Sequence, residues 1–265
     1  MPDLDQDLLD AGGVRVVASP DAPVLTVTLD RPDTRNAQTP ATWRALAHVG
    51  EALDDATRVV VLRGAGSVFS SGIDLRTFTP EGVDGESTLG RIAAADDEQA
   101  AGLIAVFQQA FTWWHDLDVL TVAAVQGAAV GAGFQLALAC DLRVCTTAAR
   151  FSMRETSLGL VPDLAGTHPL VRAVGSSRAL EICATGRWVG ADEALALGLA
   201  TAVVEPDDLD ETVGDLVAGL LAAPAQASRA TKAVLRAAVD ADAVAQREVE
   251  RRAQVPLLRT LLGRG

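Results

Sequence analysis

The sequence contains few cysteines and histidines, and their spacing gives little support to metal or thiol chemistry. The cysteines lie in apolar stretches without C-x-x-C spacing, at Cys140, Cys145 and Cys183. This pattern predicts buried, reduced thiols rather than a disulfide framework or a metal site. The histidines are scattered over separate segments, at His48, His115 and His168, so neither metal catalysis nor a Ser-His-Asp triad is supported.

Basic clusters and long apolar runs are also missing. The formal net charge is −13 at pH 7, and no run of Lys and Arg offsets it locally, which argues against nucleic-acid partners. No apolar stretch is long enough for a transmembrane helix, and the acidic start, MPDLDQDLLDAGG, lacks the basic and apolar regions of a signal peptide. The sequence therefore predicts a cytoplasmic protein without membrane contacts.

Glycine motifs are present, but they do not have the common nucleotide-binding forms. GAGSVF at 64–69 and GAGFQL at 131–136 each lack a third glycine, and no acidic residue follows where it would bind a ribose. A P-loop lysine motif and a G-x-S-x-G motif are absent from the sequence. We therefore expect no covalently bound cofactor.

What remains is a globular composition with alternating strands and helices. The chain has 265 residues, 49% of them hydrophobic and 22% charged, enough for one domain or one and a half. Thr39 and Pro40 predict the start of a helix that runs to about residue 54. A soft boundary near residue 200 separates a core, 1–200, from a helical tail, 201–265. Strands are predicted at 15–19, 23–30, 58–64, 119–125, 142–147 and 200–204, a helix at 101–116, and a mobile lid or surface excursion at 79–100.

The stretch QGAAVGAGFQLALACD, residues 126–141, predicts a glycine turn between a strand and a helix. Small residues from Gly131 onward let the backbone approach a ligand, and the first N–H groups of a helix have no internal partner. Such groups can bind a developing oxyanion. Gln135 lies one turn further along the same helical face as Ala132. A core helix with a buried, hydrogen-bonded glutamine is the alternative.

Three further segments complete a family pattern. FSSGIDL at 69–75 is a loop after a buried strand, FSMRETSLGLVPDLAGT at 151–167 carries two carboxylates, and RPDTRNA at 31–37 is an early loop. Together with residues 126–141, in this order and spacing, they resemble the crotonase superfamily, the enoyl-CoA hydratases and isomerases. The resemblance covers nearly the whole chain. It implies an α/β fold, a crotonase-like spiral of β-β-α repeats, with a helical C-terminal trimerisation region that forms homotrimers or dimers of trimers.

The resemblance also implies the binding residues. The backbone N–H groups of Ile73 and Ala132 would bind the oxygen of an acyl-CoA thioester, so that coenzyme A enters as part of the substrate. Lys232 resembles a residue that reaches CoA phosphates, in its own subunit or in an adjacent one. The alternative is that Lys232 is a solvated lysine on a helix. The expected substrate contacts are Arg31, Ser71, Gly72, Asp74, Leu75, Gly131 and Lys232.

The family's two hydratase glutamates fall at Gln135 and Glu155. An amide can orient water or a substrate oxygen, but it cannot carry a proton near neutral pH. Hydration uses two carboxylates, whereas moving a double bond needs one base that removes and returns a proton. Glu155 as the shuttle, with Gln135 as an orienting group, therefore favours isomerisation. Asp163 matches a working aspartate of some isomerases and could instead cap a helix that begins near Gly166.

Other reactions stay open from the sequence. Enoyl-CoA hydration is possible if Asp163 or a repositioned water replaces the lost carboxylate. Asp163 could also act as nucleophile or base in hydrolysis or decarboxylation. A non-catalytic acyl-CoA-binding homologue is the alternative from another class. Arg154 stands where many relatives have proline and Ala165 where they often have glycine, so the acyl group is not determined.

Overall fold

The computed structural model describes residues 2–83 and 85–263. The strands are β1 (Val14–Ala18), β2 (Val24–Leu29), β3 (Val59–Gly64), β4 (Leu120–Val125), β5 (Ala128–Val130), β6 (Leu142–Thr146), β7 (Arg150–Ser152), β8 (Val189–Gly190) and β9 (Ala202–Val204). The helices are α1 (Gln6–Gly12), α2 (Pro40–Ala52), α3 (Thr88–Ala94), α4 (Asp97–Asp116), α5 (Ala132–Ala139), α6 (Thr167–Val174), α7 (Ser176–Thr185), α8 (Ala191–Ala196), α9 (Leu209–Ala222), α10 (Ala225–Ala237) and α11 (Ala243–Leu261).

A six-stranded sheet with the order β1-β2-β3-β4-β6-β9 forms the centre of the fold. The pair β1 and β2 is antiparallel, and all later neighbours are parallel. Both faces of β3 are covered, because Val60 and Leu62 lie in one hydrophobic cluster while Val59 and Val61 lie in another. This explains why the sequence of β3 is continuously apolar instead of alternating.

A second sheet has the order β5-β7-β8, and its strands β5 and β7 alternate along the chain with strands of the first sheet. The strand β4 is followed by β5 and α5, and β6 is followed by β7, so successive repeats contribute one strand to each sheet. A bridge between Ser70 and Ala129 brings the loop after β3 to the same small sheet. The expected β-β-α repeats are therefore confirmed, and they bring the loops after β3 and β5 together.

Local sequence signals explain where several helices begin. The hydroxyl of Thr39 accepts the N–H of Thr42 in a capping box, and Pro40 occupies the first turn of α2. The helix α9 places Leu209, Val213 and Val217 at four-residue steps against the second face of the large sheet. No helix in the described residues is both long and apolar enough to cross a bilayer.

The structure corrects several sequence-based expectations. The short strands β5, β7 and β8 were not predicted. Residues 79–100, of which residue 84 lies outside the described part, contain α3 and the first turn of α4, which the sequence did not predict. That these residues form a mobile lid or surface excursion stays a prediction. The helical C-terminal region is confirmed, although β9, beyond residue 200, is still an edge strand of the large sheet.

Candidate active site

A cavity of about 610 Å³ opens where the loops after β3 and β5 meet the segment after β7. It brings together the three motifs that the sequence places far apart. Its apolar wall comes mainly from α2, α3, α4 and residues 158–164. The lining side chains that matter below are Trp43, Ser71, Gly72, Ile73, Asp74, Leu75, Leu89, Ile92, Ile104, Phe107, Gly131, Ala132, Arg154, Glu155 and Asp163.

Two backbone N–H groups, those of Ile73 and Ala132, form the candidate clamp. Neither donates to an acceptor in the described part of the chain. Ala132 is the first residue of α5, so its N–H lies at the positive end of the helix dipole. Gly72 has a φ of +91°, and a Cβ atom there would lie 2.6 Å from the carbonyl oxygen of Val130. The two segments are thus in direct contact, and only glycine fits at their junction.

A buried polar network, which the sequence did not predict, holds the Ile73 loop in place. The main chain of Gln38 accepts from Asp74 N at 2.8 Å and donates to Gly72 O at 2.7 Å, so it binds on both sides of Ile73. The side chain of Gln38 donates to Ser70 Oγ at 3.2 Å, and the same oxygen accepts the N–H of Gly72 at 3.2 Å. These bonds leave the N–H of Ile73 free to face the cavity.

Glu155 lies beside the other half of the clamp. It begins a 3-10 helix, Glu155–Leu158, and a Cβ atom on Gly131 would be 3.3 Å from its Oε1. Its Oε1 accepts a hydrogen bond of 2.6 Å from Nε2 of Gln135. Its Oε2 is buried and has no partner in the described residues. One carboxylate oxygen is therefore fixed, and the other is uncommitted.

Gln135 lies behind Glu155 and is not among the residues that line the cavity. The residue is 1% exposed. Its Oε1 accepts from Leu164 N at 3.0 Å and Gly166 N at 3.2 Å, so every polar atom of the amide has a partner. We expected Gln135 to orient a group in the cavity. Its amide instead orients the carboxylate of Glu155.

Burial raises the pKa of Glu155 above its ordinary value, and the negative charge of Asp163 raises it further. The hydrogen bonds from the backbone and from Gln135 act in the opposite direction without cancelling the rise. Burial by the cavity wall also raises the pKa of Asp163, although this residue keeps much of its surface open. Two carboxyl groups with raised pKa values in one cavity can exchange protons with a ligand.

The alternative role of Asp163 as a helix cap is wrong. The N-cap of α6 is Gly166, and no side chain accepts a hydrogen bond from the first turn. The main-chain oxygen of Asp163 accepts from Nε2 of Gln108 in α4 at 2.6 Å, which holds the residue at the cavity edge. Asp163 is therefore available for chemistry or for binding.

Most of the predicted contact residues line the cavity, but Arg31 does not. Ser71, Gly72, Asp74, Leu75 and Gly131 are all at its wall. The guanidinium of Arg31 instead binds Ala37 O at 2.5 Å and lies 3.7 Å from the carboxylate of Asp74. From the same early loop, it is Thr34 and Ala37 that reach the cavity.

Lys232, the single lysine of the sequence, is not among the residues that line this cavity. Its Nζ donates to Trp114 O at 2.9 Å and to Val119 O at 2.7 Å, and it forms an ion pair with Asp141 at 2.8 Å. Burial lowers the pKa of Lys232, while the charge of Asp141 opposes that shift. The solvated-lysine alternative is wrong, because all three N–H groups are used in a buried position. A contact with CoA phosphates, from this subunit or an adjacent one, stays a prediction.

Two residues depart from the family pattern, Ala165 and Arg154, and the structure shows the conformation of the first and a ring contact of the second. Ala165 has a φ of +63°, a left-handed conformation that favours glycine and costs about 1–2 kcal/mol for other residues. It stands between Leu164 and Gly166, whose N–H groups hold Gln135. Arg154 lies with its guanidinium carbon 5.3 Å from the centre of the Trp188 ring.

Comparison with known proteins finds relatives that match most of this chain. The family model described as enoyl-CoA hydratase/isomerase matches residues 20–260. The Arabidopsis thaliana protein named "Probable enoyl-CoA hydratase 2, mitochondrial" is 30% identical over 246 residues, which are 91% of this chain and 76% of that protein. The Mus musculus protein named "Delta(3,5)-Delta(2,4)-dienoyl-CoA isomerase, mitochondrial" is 35% identical over 195 residues, 72% of this chain and 59% of that protein.

Solved structures are similar over almost the whole chain. A protein of Thermobifida fusca YX, described as a candidate enoyl-CoA hydratase in complex with CoA, is 45% identical with a TM-score of 0.91, and the match covers 98% of both chains. The same description with acetoacetyl-CoA as the ligand applies to a structure with a TM-score of 0.90 and 45% identity, covering 97% of this chain and 98% of that one.

Proposed function

The chain belongs to the enoyl-CoA hydratase/isomerase family, and we propose that it moves a double bond of an enoyl-CoA thioester by proton transfer through Glu155. Its membership of this family makes it an acyl-CoA enzyme with hydratase or isomerase activity. The choice of isomerisation rests mainly on one observation. The amide at position 135 is fully hydrogen-bonded behind Glu155 and cannot serve as a second acid or base.

In the proposed reaction Glu155 removes a proton from C2 of a 3-enoyl thioester. The electron pair of the broken C–H bond is delocalised onto the thioester oxygen, which the N–H groups of Ile73 and Ala132 bind. Protonated Glu155 then returns the proton at C4, and the double bond comes to lie between C2 and C3. The raised pKa of Glu155 suits a group that must both accept and donate this proton.

Asp163 has a supporting part in this proposal. Its carboxylate lines the same cavity, and its charge helps to keep the proton affinity of Glu155 high. It could also take over one of the two proton transfers, which would suit a shift over a longer conjugated system. The dienoyl-CoA isomerase named above is consistent with that extension.

The test is the replacement Glu155→Gln, followed by conversion of a 3-enoyl-CoA to its 2-enoyl isomer. We expect turnover to fall by about 10²–10⁴-fold, the range for loss of an acid–base group. Glu98→Gln, on the exposed side of α4, is the matched control and should leave the rate unchanged. Unchanged turnover in Glu155→Gln would sink the assignment, and binding without any turnover in the wild type would support a non-catalytic homologue.

Enoyl-CoA hydration is the second candidate, because several of the similar proteins are named hydratases. Crotonyl-CoA hydration faster than isomerisation in the same preparation would favour it. We further propose, on family resemblance, a homotrimer or dimer of trimers, a cytoplasmic location, and no cofactor beyond the CoA of the substrate. Light scattering after size-exclusion chromatography tests the assembly.

A further inference from the structure

An indole fixed by a hydrogen bond forms part of the apolar wall of the cavity. Trp43 lies on α2, is 3% exposed and lines the cavity. Its ring centre is 4.9 Å from that of Phe107 and 6.1 Å from that of Phe111, both on α4. Its Nε1–H donates to Oε1 of Gln38 at 2.9 Å. A ring packed against two aromatic neighbours and bound at its N–H has little freedom to move away from an occupant.

Gln38 connects this wall to the clamp. The residue is fully buried, its amide nitrogen binds Ser70, and its main chain holds the residues on both sides of Ile73. Displacement of the indole would leave Oε1 of Gln38 buried and unpaired, which is unfavourable. The position of Trp43 is therefore tied to the position of the Ile73 N–H.

Aliphatic side chains also contribute to the apolar wall. Leu89 and Ile92 come from α3, and Ile104 comes from α4. All of them are aliphatic side chains that can contact an acyl chain but cannot direct it by hydrogen bonds. Trp43 is bulkier than each of these side chains, so loss of its ring would open more space than loss of any one of them.

We propose that Trp43 sets the length of the acyl chain that the cavity accepts, and that Gln38 holds the indole in the position that defines this limit. The inference rests on the function proposed above, because it assigns the cavity to the acyl part of a CoA thioester. The substrates are then enoyl-CoA thioesters whose chains end against Trp43. Longer chains must displace a ring that is packed and hydrogen-bonded.

The test measures binding of saturated acyl-CoA thioesters, from butyryl-CoA to dodecanoyl-CoA, by calorimetry. In the wild type, affinity should increase by up to about fourfold for each added methylene and then stop increasing. In Trp43→Leu the increase should continue to a longer chain. Trp43→Phe, which keeps an aromatic ring against Phe107, should give a smaller shift and serves if the leucine variant does not fold.

Trp113→Leu is the matched control. Trp113 is 7% exposed, donates from Nε1 to Leu46 O at 2.9 Å and stacks on Trp114, and it is not one of the cavity-lining residues. Its loss should lower stability without changing the preferred chain length. The proposal is overturned if the Trp43 variants keep the wild-type length profile, or if Trp113→Leu shifts it equally.

Saturated thioesters keep this result separate from the reaction. They carry no double bond to move or hydrate, so their affinities do not depend on proton transfer by Glu155. A shifted length profile together with unchanged isomerisation in Glu155→Gln would reject the proposed function alone. A normal loss of activity in Glu155→Gln together with an unshifted profile would reject the role of Trp43 alone.

Discussion

Gln135 donates a hydrogen bond of 2.6 Å from Nε2 to Oε1 of Glu155, and its other contacts fix the direction of this bond. Oε1 of Gln135 accepts two backbone N–H groups, from Leu164 and Gly166. The amide nitrogen must therefore be the atom that faces Glu155. The bond stabilises the ionised form of Glu155 within a site whose burial favours the neutral form.

Replacement of Gln135 should move the pH dependence of the reaction. In Gln135→Met the bond that lowers the pKa of Glu155 is lost, while the larger effect of burial stays, so the pKa rises. Since Glu155 acts as a base only when ionised, the acidic limb of kcat/KM should shift to higher pH. The pH profile of 3-enoyl-CoA isomerisation measures this shift. Gln246→Met, which removes a side-chain amide on α11, should leave the limb in place.

Asp163→Asn should shift the same limb in the opposite direction. The charge of Asp163 is one of the causes that raise the pKa of Glu155, so its removal lowers that pKa and extends activity to lower pH. If Asp163 also transfers a proton, kcat should fall by about 10²–10⁴-fold at the optimum. A limb that stays in place or moves upward would contradict the electrostatic coupling of the two carboxyl groups.

Gln135→Glu tests why hydration is disfavoured. The new side chain would meet the N–H groups of Leu164 and Gly166 and would place a second carboxyl group beside Glu155. Position 135 does not line the cavity, so the second carboxyl group can act only if it reaches a water that Glu155 binds. In that case crotonyl-CoA hydration should increase by at least about 10²-fold, the smaller contribution of an acid–base group. Hydration that does not increase would show that another feature of the cavity prevents this reaction.

Lys232→Met should destabilise the fold. The substitution removes the cation from a largely buried ion pair and leaves Asp141 with the hydrogen bonds from Thr121 as its main compensation, so the loss in the free energy of unfolding should be at most about 3–5 kcal/mol. Denaturant unfolding measures the loss. Arg251→Met removes one partner of an exposed pair with Glu248 on α11 and should leave the free energy of unfolding almost unchanged. Weaker CoA binding at unchanged stability would instead support the contact with CoA phosphates.

The shortest strands are too short to be recognised from the sequence. The strands β5 and β7 have three residues each and β8 has two, so no alternation of apolar and polar side chains can develop within them. Tertiary pairing between separate segments stabilises such strands. The helix α3 was missed for a related reason, since it is short and its apolar side chains face a cavity that only the fold creates.

The network around Gln38 could not be predicted either. A glutamine between a loop and a helix suggests a surface residue, whereas here it is fully buried and binds Trp43, Ser70 and the loop of Ile73. Its partners come from three segments of the chain. Hydrogen bonds between distant segments leave no regular spacing in the sequence.

The sequence by itself determined the long elements, the glycine turn at Gly131 and the motif that carries Glu155, because each depends on local conformational preferences or on a contiguous pattern. Only the tertiary structure decided that Gln135 faces Glu155 instead of the cavity, that Asp163 caps no helix and that Lys232 is a buried partner of Asp141. These three outcomes depend on which distant groups meet a polar side chain. In the protein interior these contacts determine where a polar side chain lies, because a buried polar atom without a hydrogen-bond partner is unfavourable.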